Sequence, residues 1–340
     1  MKHPVFQKSC AALFGVALLL GGISSASADT YRWLTFKPEG ANDAQSRSTK
    51  WLIQQFNERT PDDTSIKPYW GSSVASTEEV PDYVGGGVGD LGDIITPYFP
   101  DRFYLNNAVG FFIPQPLSVT EIAESMEKWH EKYPAFGEEM EKNNLKVIGY
   151  RPLEKYGLFC THPIRTMSDF EGLRIRSYGF AYPRLIEAMG ATPISISTAE
   201  TYEALEKNII DCTPVGPALA RGWKYDEVAK YYIEIPFGAS FGHLLVINLD
   251  TYRAMDDATR AVVDELGHEY VYQYAGMLQD DIRDVRKEWK ESGVEIIKIP
   301  DFDMEQLVQS PQVRGIRQEW IEHADELGVP AESIAEQLRP

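Results

Sequence analysis

The 340-residue sequence is short of cysteine, of positive charge and of long apolar runs. Three cysteines, Cys10, Cys160 and Cys212, are too few for a disulfide scaffold, and their spacing fits no zinc-binding pattern. Lysine and arginine number 33 against 51 aspartate and glutamate, a formal net charge of −18. So acidic a chain argues against a nucleic-acid partner. Its charge reads either as a solvated surface or as an attraction for cationic ligands. No apolar run reaches the eighteen or so residues of a membrane span. No histidine pair has the four-residue spacing with a glutamate that a zincin needs, so no metal is expected. Internal repeats and low-complexity linkers are also missing.

What is present begins with a leader. Lys2 and Lys8 make a basic start, residues 11–22 (AALFGVALLLGG) a short apolar stretch, and Ala26-Ser27-Ala28 a small-residue cleavage signal. The pattern predicts a signal peptide over 1–28 and an exported mature chain that begins near Asp29. Cleavage removes two lysines and no acid, so the formal charge moves from −18 to −20. Cys10 leaves with the leader. Cys160 and Cys212 then stand either as one disulfide in an oxidising compartment or as two buried thiols. The length, with 43% apolar residues, provides for two domains and their cores.

Apolar periodicity predicts strands over 31–36, 65–70, 93–98, 145–151, 157–162, 172–177, 192–197, 210–215 and 243–249. Helical patterns lie between them, over 40–60, roughly 76–85, 119–143, 182–190 and 198–208. This alternation implies α/β layers with largely parallel sheets. Residues 256–293 keep helical periodicity almost unbroken, with Gly267 and Gly276 the weak points. A continuous helix there would span about 55 Å. That is longer than one small domain, so the helix is expected to run across both. The missing tether suggests domains joined by several strands.

Two motifs invite catalytic readings that their context refuses. Gly238-Ala239-Ser240-Phe241-Gly242 fits G-x-S-x-G, but a nucleophile elbow needs a strand before the serine and a helix after it, and here a strand follows. Gly87-Val88-Gly89-Asp90-Leu91-Gly92 fits G-x-G-x-x-G, but it follows a helix and precedes a strand, the reverse of a dinucleotide site. A helix-to-strand turn is the better reading. The aromatic residues are more telling. Phe36, Trp70, Tyr98, Tyr156 and Phe241 each fall at or near the end of a predicted strand. Ligands of open α/β sheets bind outside the strands' carboxyl ends, so five together suggest an aromatic-lined cleft. In GLRIRS, residues 172–177, Arg174 sits near the start of its strand and Arg176 at the carboxyl end. Arg174 is the residue expected to reach water, and Arg176 the one expected to grip a ligand.

Residues 163–250 resemble the solute-binding proteins of TRAP transporters, the DctP-like family. PIRTMSDFEGLRIRS, EAMGATPISIS, ETYEALEKNIIDC and LLVINLDTY carry the resemblance, in that order. The leader, the DIITPY strand and the long helix from 256 extend it over nearly the whole mature chain. It implies an α/β, two-lobed periplasmic binding protein fold with discontinuous domains, a hinge and a long bracing helix. Lobe I would be 29–153 plus about 241–282, and lobe II 154–240 plus about 283–340. The resemblance further implies a monomeric receptor, not an enzyme, with no cofactor. Such a receptor captures a small organic solute in the periplasm and delivers it to the small and large membrane subunits of an ion-gradient-driven permease.

In that family the arginine closing the G-L-K-I-R segment pairs with the ligand carboxylate, and the matching position is Arg176. Two departures stand beside it. The asparagine of the family's Q-E-N-P run falls on Val215, and a further arginine of members that bind sialic acid-like acids falls on Tyr156. The expected ligand-binding set is therefore Arg176, Tyr156, Phe36, Trp70, Tyr98, Val215 and Phe241. A small monocarboxylate on Arg176 is the leading ligand. The alternative is a small amine or amino alcohol, with Glu39, Glu154 or Asp211 as its carboxylate partner; a dicarboxylate or sugar acid comes after both. Readings from other classes are an exported hydrolase using Ser240 and a ligand-sensing protein.

Overall fold

The computed structural model describes residues 29–61, 63–112, 117–235, 237, 242–300, 305–307 and 309–338. The leader, Ser240 and Phe241 lie outside the described residues. Eleven strands are described in chain order: β1 (Asp29–Leu34), β2 (Thr64–Tyr69), β3 (Leu91–Ile95), β4 (Leu145–Arg151), β5 (Gly157–Cys160), β6 (Arg174–Ser177), β7 (Thr192–Ser195), β8 (Cys212–Val215), β9 (Tyr231–Glu234), β10 (His243–Asn248) and β11 (Glu295–Lys298). They form two sheets, one lobe around each. The first has the order β2-β1-β3-β10-β4, the second β11-β9-β5-β8-β6-β7.

The sheets are mixed rather than largely parallel. β10 runs antiparallel to β3 and β4, and β5 runs antiparallel to β8 and β9. The reason lies in the connections. A helical crossover keeps strands parallel, as in β1 to β2 and β6 to β7. β5 and β10 instead enter their sheets directly from the other lobe. The sequence pattern also misses β9 and β11, whose four-residue runs YYIE and EIIK pair in parallel at one side of the second sheet.

The helices start and stop on recognisable chemistry. Asp43 caps α1 (Ala44–Arg59) by accepting from the Gln45 and Ser46 N–H groups. α2 (Val80–Gly85) leads into the glycine-rich turn before β3, where Gly87 takes a φ of 76°. The expected helix over 119–143 divides into α3 (Val119–Lys132) and α4 (Pro134–Glu141), because Pro134 holds Tyr133 extended. α5 (Ala181–Ala188), α6 (Thr201–Glu206), α7 (Pro217–Gly222) and α8 (Tyr225–Val228) serve the second sheet, and α9 (Leu249–Ala254) the first.

The long helix is α10 (Asp257–Ser292), 36 residues capped by Asp256 and ended by Gly293 in the left-handed region. It packs on α1, α3 and β4 of the first lobe and on α7 of the second. A Cβ at Gly267 would collide with the Ile148 carbonyl oxygen, so only glycine lets α10 approach β4 this closely. Gly276 faces nothing within 4 Å. Near the middle of α10's second half, Asp281 is 3% exposed and accepts from Arg47 of α1 at 3.0 Å and Arg221 of α7 at 2.6 Å. The helix thus ties both lobes at one carboxylate. In the second sheet, Cys160 and Cys212 are partners across β5 and β8 and form a disulfide.

Candidate functional site

Between the lobes is a cavity of about 30 Å³. The carboxyl ends of β1, β3 and β6 reach it, bringing Phe36, Tyr98 and Arg176. The amino end of β10 brings His243, because an antiparallel strand presents its start where its neighbours present their ends. Gln45 from α1, Tyr178 and Thr198 beyond β6 and β7, Leu219 and Trp223 around α7, and Leu153 and Tyr156 from the crossing segment also line the cavity.

Arg176 is 4% exposed. Its Nε donates to the Ile196 carbonyl at 3.1 Å, and its Nη2 donates to Thr198 Oγ1 at 2.9 Å and to Tyr98 Oη at 3.3 Å. The guanidinium carbon lies 4.5 Å from the Tyr178 ring centroid. Each of these partners is neutral. Glu200 feels the Arg176 charge, but its pKa falls chiefly because it accepts from Ser197. Two residues earlier, Arg174 is half exposed and forms a two-pronged pair with Asp211, at 3.1 and 2.8 Å. The two arginines of GLRIRS therefore differ in environment. One is paired at the surface, and the other is buried without a carboxylate partner among the described residues.

Tyr98 links the lobes. It leaves β3 on a 3₁₀ turn, Thr96–Tyr98, so the DIITPY strand stops at Ile95. Its hydroxyl is 2.9 Å from Thr198 Oγ1 and accepts the Thr198 N–H at 3.0 Å. Trp223 stands 5.4 Å from Lys37 Nζ on the opposite lobe. These contacts hold the lobes against each other and leave the cavity far below the ~300 Å³ that bound small molecules usually occupy.

The first lobe's wall is electrostatically closed. Arg151, fully buried, donates to Tyr270 Oη and to Thr49 Oγ1 at 2.7 Å, and pairs with Asp93 at 3.4 Å. Asp93 also accepts from Thr35 Oγ1. Arg151 Nη1 is 3.3 Å from His243 Nδ1. A guanidinium only donates, so Nδ1 is the acceptor and the ring proton sits on Nε2. Burial, with Arg151 and Lys37 beside it, pushes His243 well below its usual range and keeps it neutral. Lys37 is paired with Asp43 at 3.2 Å.

Of the residues singled out from sequence, Arg176, Tyr156, Phe36 and Tyr98 line the cavity. Trp70 does not. It follows β2, the outermost strand, too far across the sheet, and packs near Lys50 instead. Val215 does not either. Cys212 takes one face of β8, so Val215 points to the other, into a core with Phe159 and Trp289. Phe241 falls outside the described residues. None of the three carboxylates expected to partner an amine lines the cavity. Glu39 is exposed, Asp211 is taken by Arg174, and Glu154 turns to α7 and accepts from Leu219 N–H at 2.9 Å. Sequence reading misses Gln45, Tyr178, Thr198, Trp223 and His243. The strand-end rule that finds Tyr98 also reaches Tyr178; His243 needs the direction of β10.

Two larger hollows exist, about 440 Å³ beside β4 and about 410 Å³ between α3, α10 and β9, but neither contains Arg176. Among the described residues no group of three histidine, cysteine, aspartate or glutamate side chains could hold a metal, and no helix is long and apolar enough to cross a membrane.

Comparison with known proteins places this geometry. A solute-binding protein of Sulfitobacter sp. (strain NAS-14.1) is 26% identical over 137 residues, 40% of this chain and 41% of the relative, so the match spans about two fifths of that protein. A TRAP periplasmic solute-binding protein from Bordetella bronchiseptica, solved with bound (R)- and (S)-mandelate, superposes with a TM-score of 0.79 at 20% identity, covering 89% of this chain and 95% of that one. A Bordetella pertussis extracytoplasmic solute receptor binding pyroglutamic acid gives 0.75 at 18% identity, covering 87% and 95%. The fold is that of these two-lobed receptors, which bind solutes and are not enzymes. The model of bacterial extracellular solute-binding protein family 7 matches residues 38–313, and the chain belongs to that family.

Proposed function

We propose that this chain captures a small monocarboxylate on Arg176, in the periplasm after loss of its leader, and delivers it to the membrane subunits of a TRAP-type permease. The observation that carries the reading is a buried guanidinium whose hydrogen-bond partners are all neutral. A buried charge is costly unless an opposite charge and hydrogen bonds compensate it. A carboxylate supplies both, and two parallel N–H···O bonds also orient it. Tyr156, the one of the two departed positions that lines the cavity, adds no charge, which favours one carboxylate over two. An amine fits poorly, because no acidic side chain lines the cavity among the described residues. The acids bound by the structural relatives, mandelate and pyroglutamic acid, are monocarboxylates with a compact body.

Closure follows from where the contacts sit. Arg176 and Thr198 belong to the second lobe, Tyr98 and Phe36 to the first. A ligand that touches both lobes shifts the population toward the closed state by its differential affinity. Calorimetric titration with a panel of monocarboxylates, dicarboxylates and amines tests the proposal. The expected result is saturable binding of one or more monocarboxylates; binding of amines alone would overturn it.

A further inference from the structure

Two buried polar atoms of residues on the cavity wall have no hydrogen-bond partner among the described residues, Trp223 Nε1 and Gln45 Oε1, and only the second is an acceptor. Gln45 lies at the second helical position of α1 and is 5% exposed. Its backbone is fixed: its N–H donates to the Asp43 carboxylate at 3.0 Å, and its carbonyl accepts from Ser48 Oγ and Thr49 Oγ1. Asp43 is itself held by Lys37 at 3.2 Å. The side chain is therefore presented from a rigid helix start. Its Oε1 is buried and has no hydrogen-bond partner among the described residues. An unpaired amide oxygen away from water carries a penalty that folding alone does not relieve. Gln45 lines the cleft cavity and also a small neighbouring hollow, which shares Leu153, Tyr156 and Leu219 with it.

We infer that Gln45 is the specificity-determining residue of the first lobe, and that the ligand is a monocarboxylic acid carrying a hydroxyl or amide N–H donor for its Oε1. This rests on the reading that Arg176 takes the carboxylate. Two poles then fix the ligand: its charge on the second lobe through Arg176, and its neutral donor on the first through Gln45. The apolar body lies between, among Phe36, Tyr98 and Tyr156. A site built to pair a donor discriminates strongly against the analogue that lacks it, because its own buried acceptor is then left unpaired. Lobe closure also becomes selective, since only an acid with the second group bridges both walls.

The test is a ratio of dissociation constants, measured by calorimetry on the full mature chain. Two probe pairs differ in the donor: mandelate against phenylacetate, and pyroglutamate against cyclopentanecarboxylate. In the wild type at least one pair should show a preference of roughly tenfold or more for the donor-bearing acid. In Gln45→Leu, and independently in Gln45→Met, that ratio should collapse toward one, with the unfolding midpoint equal to or above that of the wild type. A purely structural Gln45 would lower the midpoint and leave the ratio standing, which overturns the inference. A wild-type ratio of one for both pairs also overturns it while leaving the Arg176 reading intact. Loss of all four acids in Arg176→Leu is the control for that reading. Failure of the wild type to bind any of the four removes this ligand assignment, and binding of amines alone in the wider panel removes the Arg176 reading as well.

Discussion

Arg151 ends β4 and Arg176 lies one residue before the end of β6, and both are withdrawn from water, at 0% and 4% exposure. Arg151 faces Asp93, Thr49, Tyr270 and His243, and burial that works against its charge is outweighed by Asp93 and Tyr270, so its pKa rises. Arg176 faces a carbonyl, two hydroxyls and a ring. The difference shows how a binding protein divides its charges. One arginine is neutralised within its own lobe and sets the frame of the wall. The other is solvated by neutral dipoles alone, and on that environment the proposed carboxylate contact rests.

The comparison can be broken from either side. Arg151→Leu strands the Asp93 carboxylate, already 0% exposed, without its cation. Removing one partner of a buried pair costs about 3–5 kcal/mol. Urea unfolding should show a larger loss for this variant than for Tyr98→Phe or Arg176→Leu, and an unchanged midpoint would mean that the pair is not structural. Tyr98→Phe removes the hydroxyl that reaches Thr198 and Arg176, a loss of about 1 kcal/mol. Small-angle scattering of the ligand-free protein should then show a larger radius of gyration than the wild type; an identical radius would remove Tyr98 from the closing contact.

A pH-dependent effect separates the cleft from the segment behind it. Burial pushes Glu154 up to about 8, so it carries a proton at neutral pH in the folded chain. Its unfolded value is near 4.5. The folded state thus holds a proton that the unfolded state releases, and this group's contribution to stability is lost as pH rises from about 4.5 through about 8. His243 acts in the opposite sense, because a depressed folded pKa costs stability as pH falls below 6.5. Glu154→Gln leaves His243 in place, so the difference between variant and wild type isolates Glu154. The variant should melt progressively higher than the wild type between pH 5 and 8; parallel curves would contradict the burial of that carboxyl.

Most of the fold is legible because periodicity and caps are local. Asp43, Pro134, Gly190 and Gly293 mark boundaries in the chain itself. Strand direction is not local, and His243 escapes sequence reading for that reason. Sheet order is not local either, which is why Trp70, at a strand end like Phe36 and Tyr98, misses the cavity. Counting along a motif assigns Val215 to the site, whereas the pleat of β8 turns it into the core. Arg176 and Arg174 can be separated because they differ in position along one strand, a property the sequence does carry. Gln45 has no signal at all: a glutamine early in a helix reads as solvent-facing until its helix start is seen against the cleft.

In the proposed function Arg176 is buried for a ligand and not for the fold. Thermal melts of wild type and Arg176→Leu, each with and without a saturating monocarboxylate from the titration panel, test it most directly. Ligand-free midpoints should agree or favour the variant. Ligand at 100 times the dissociation constant should add about 2.7 kcal/mol of stability to the wild type and none to the variant. A variant that is destabilised without ligand yet still stabilised by the same acid would contradict it.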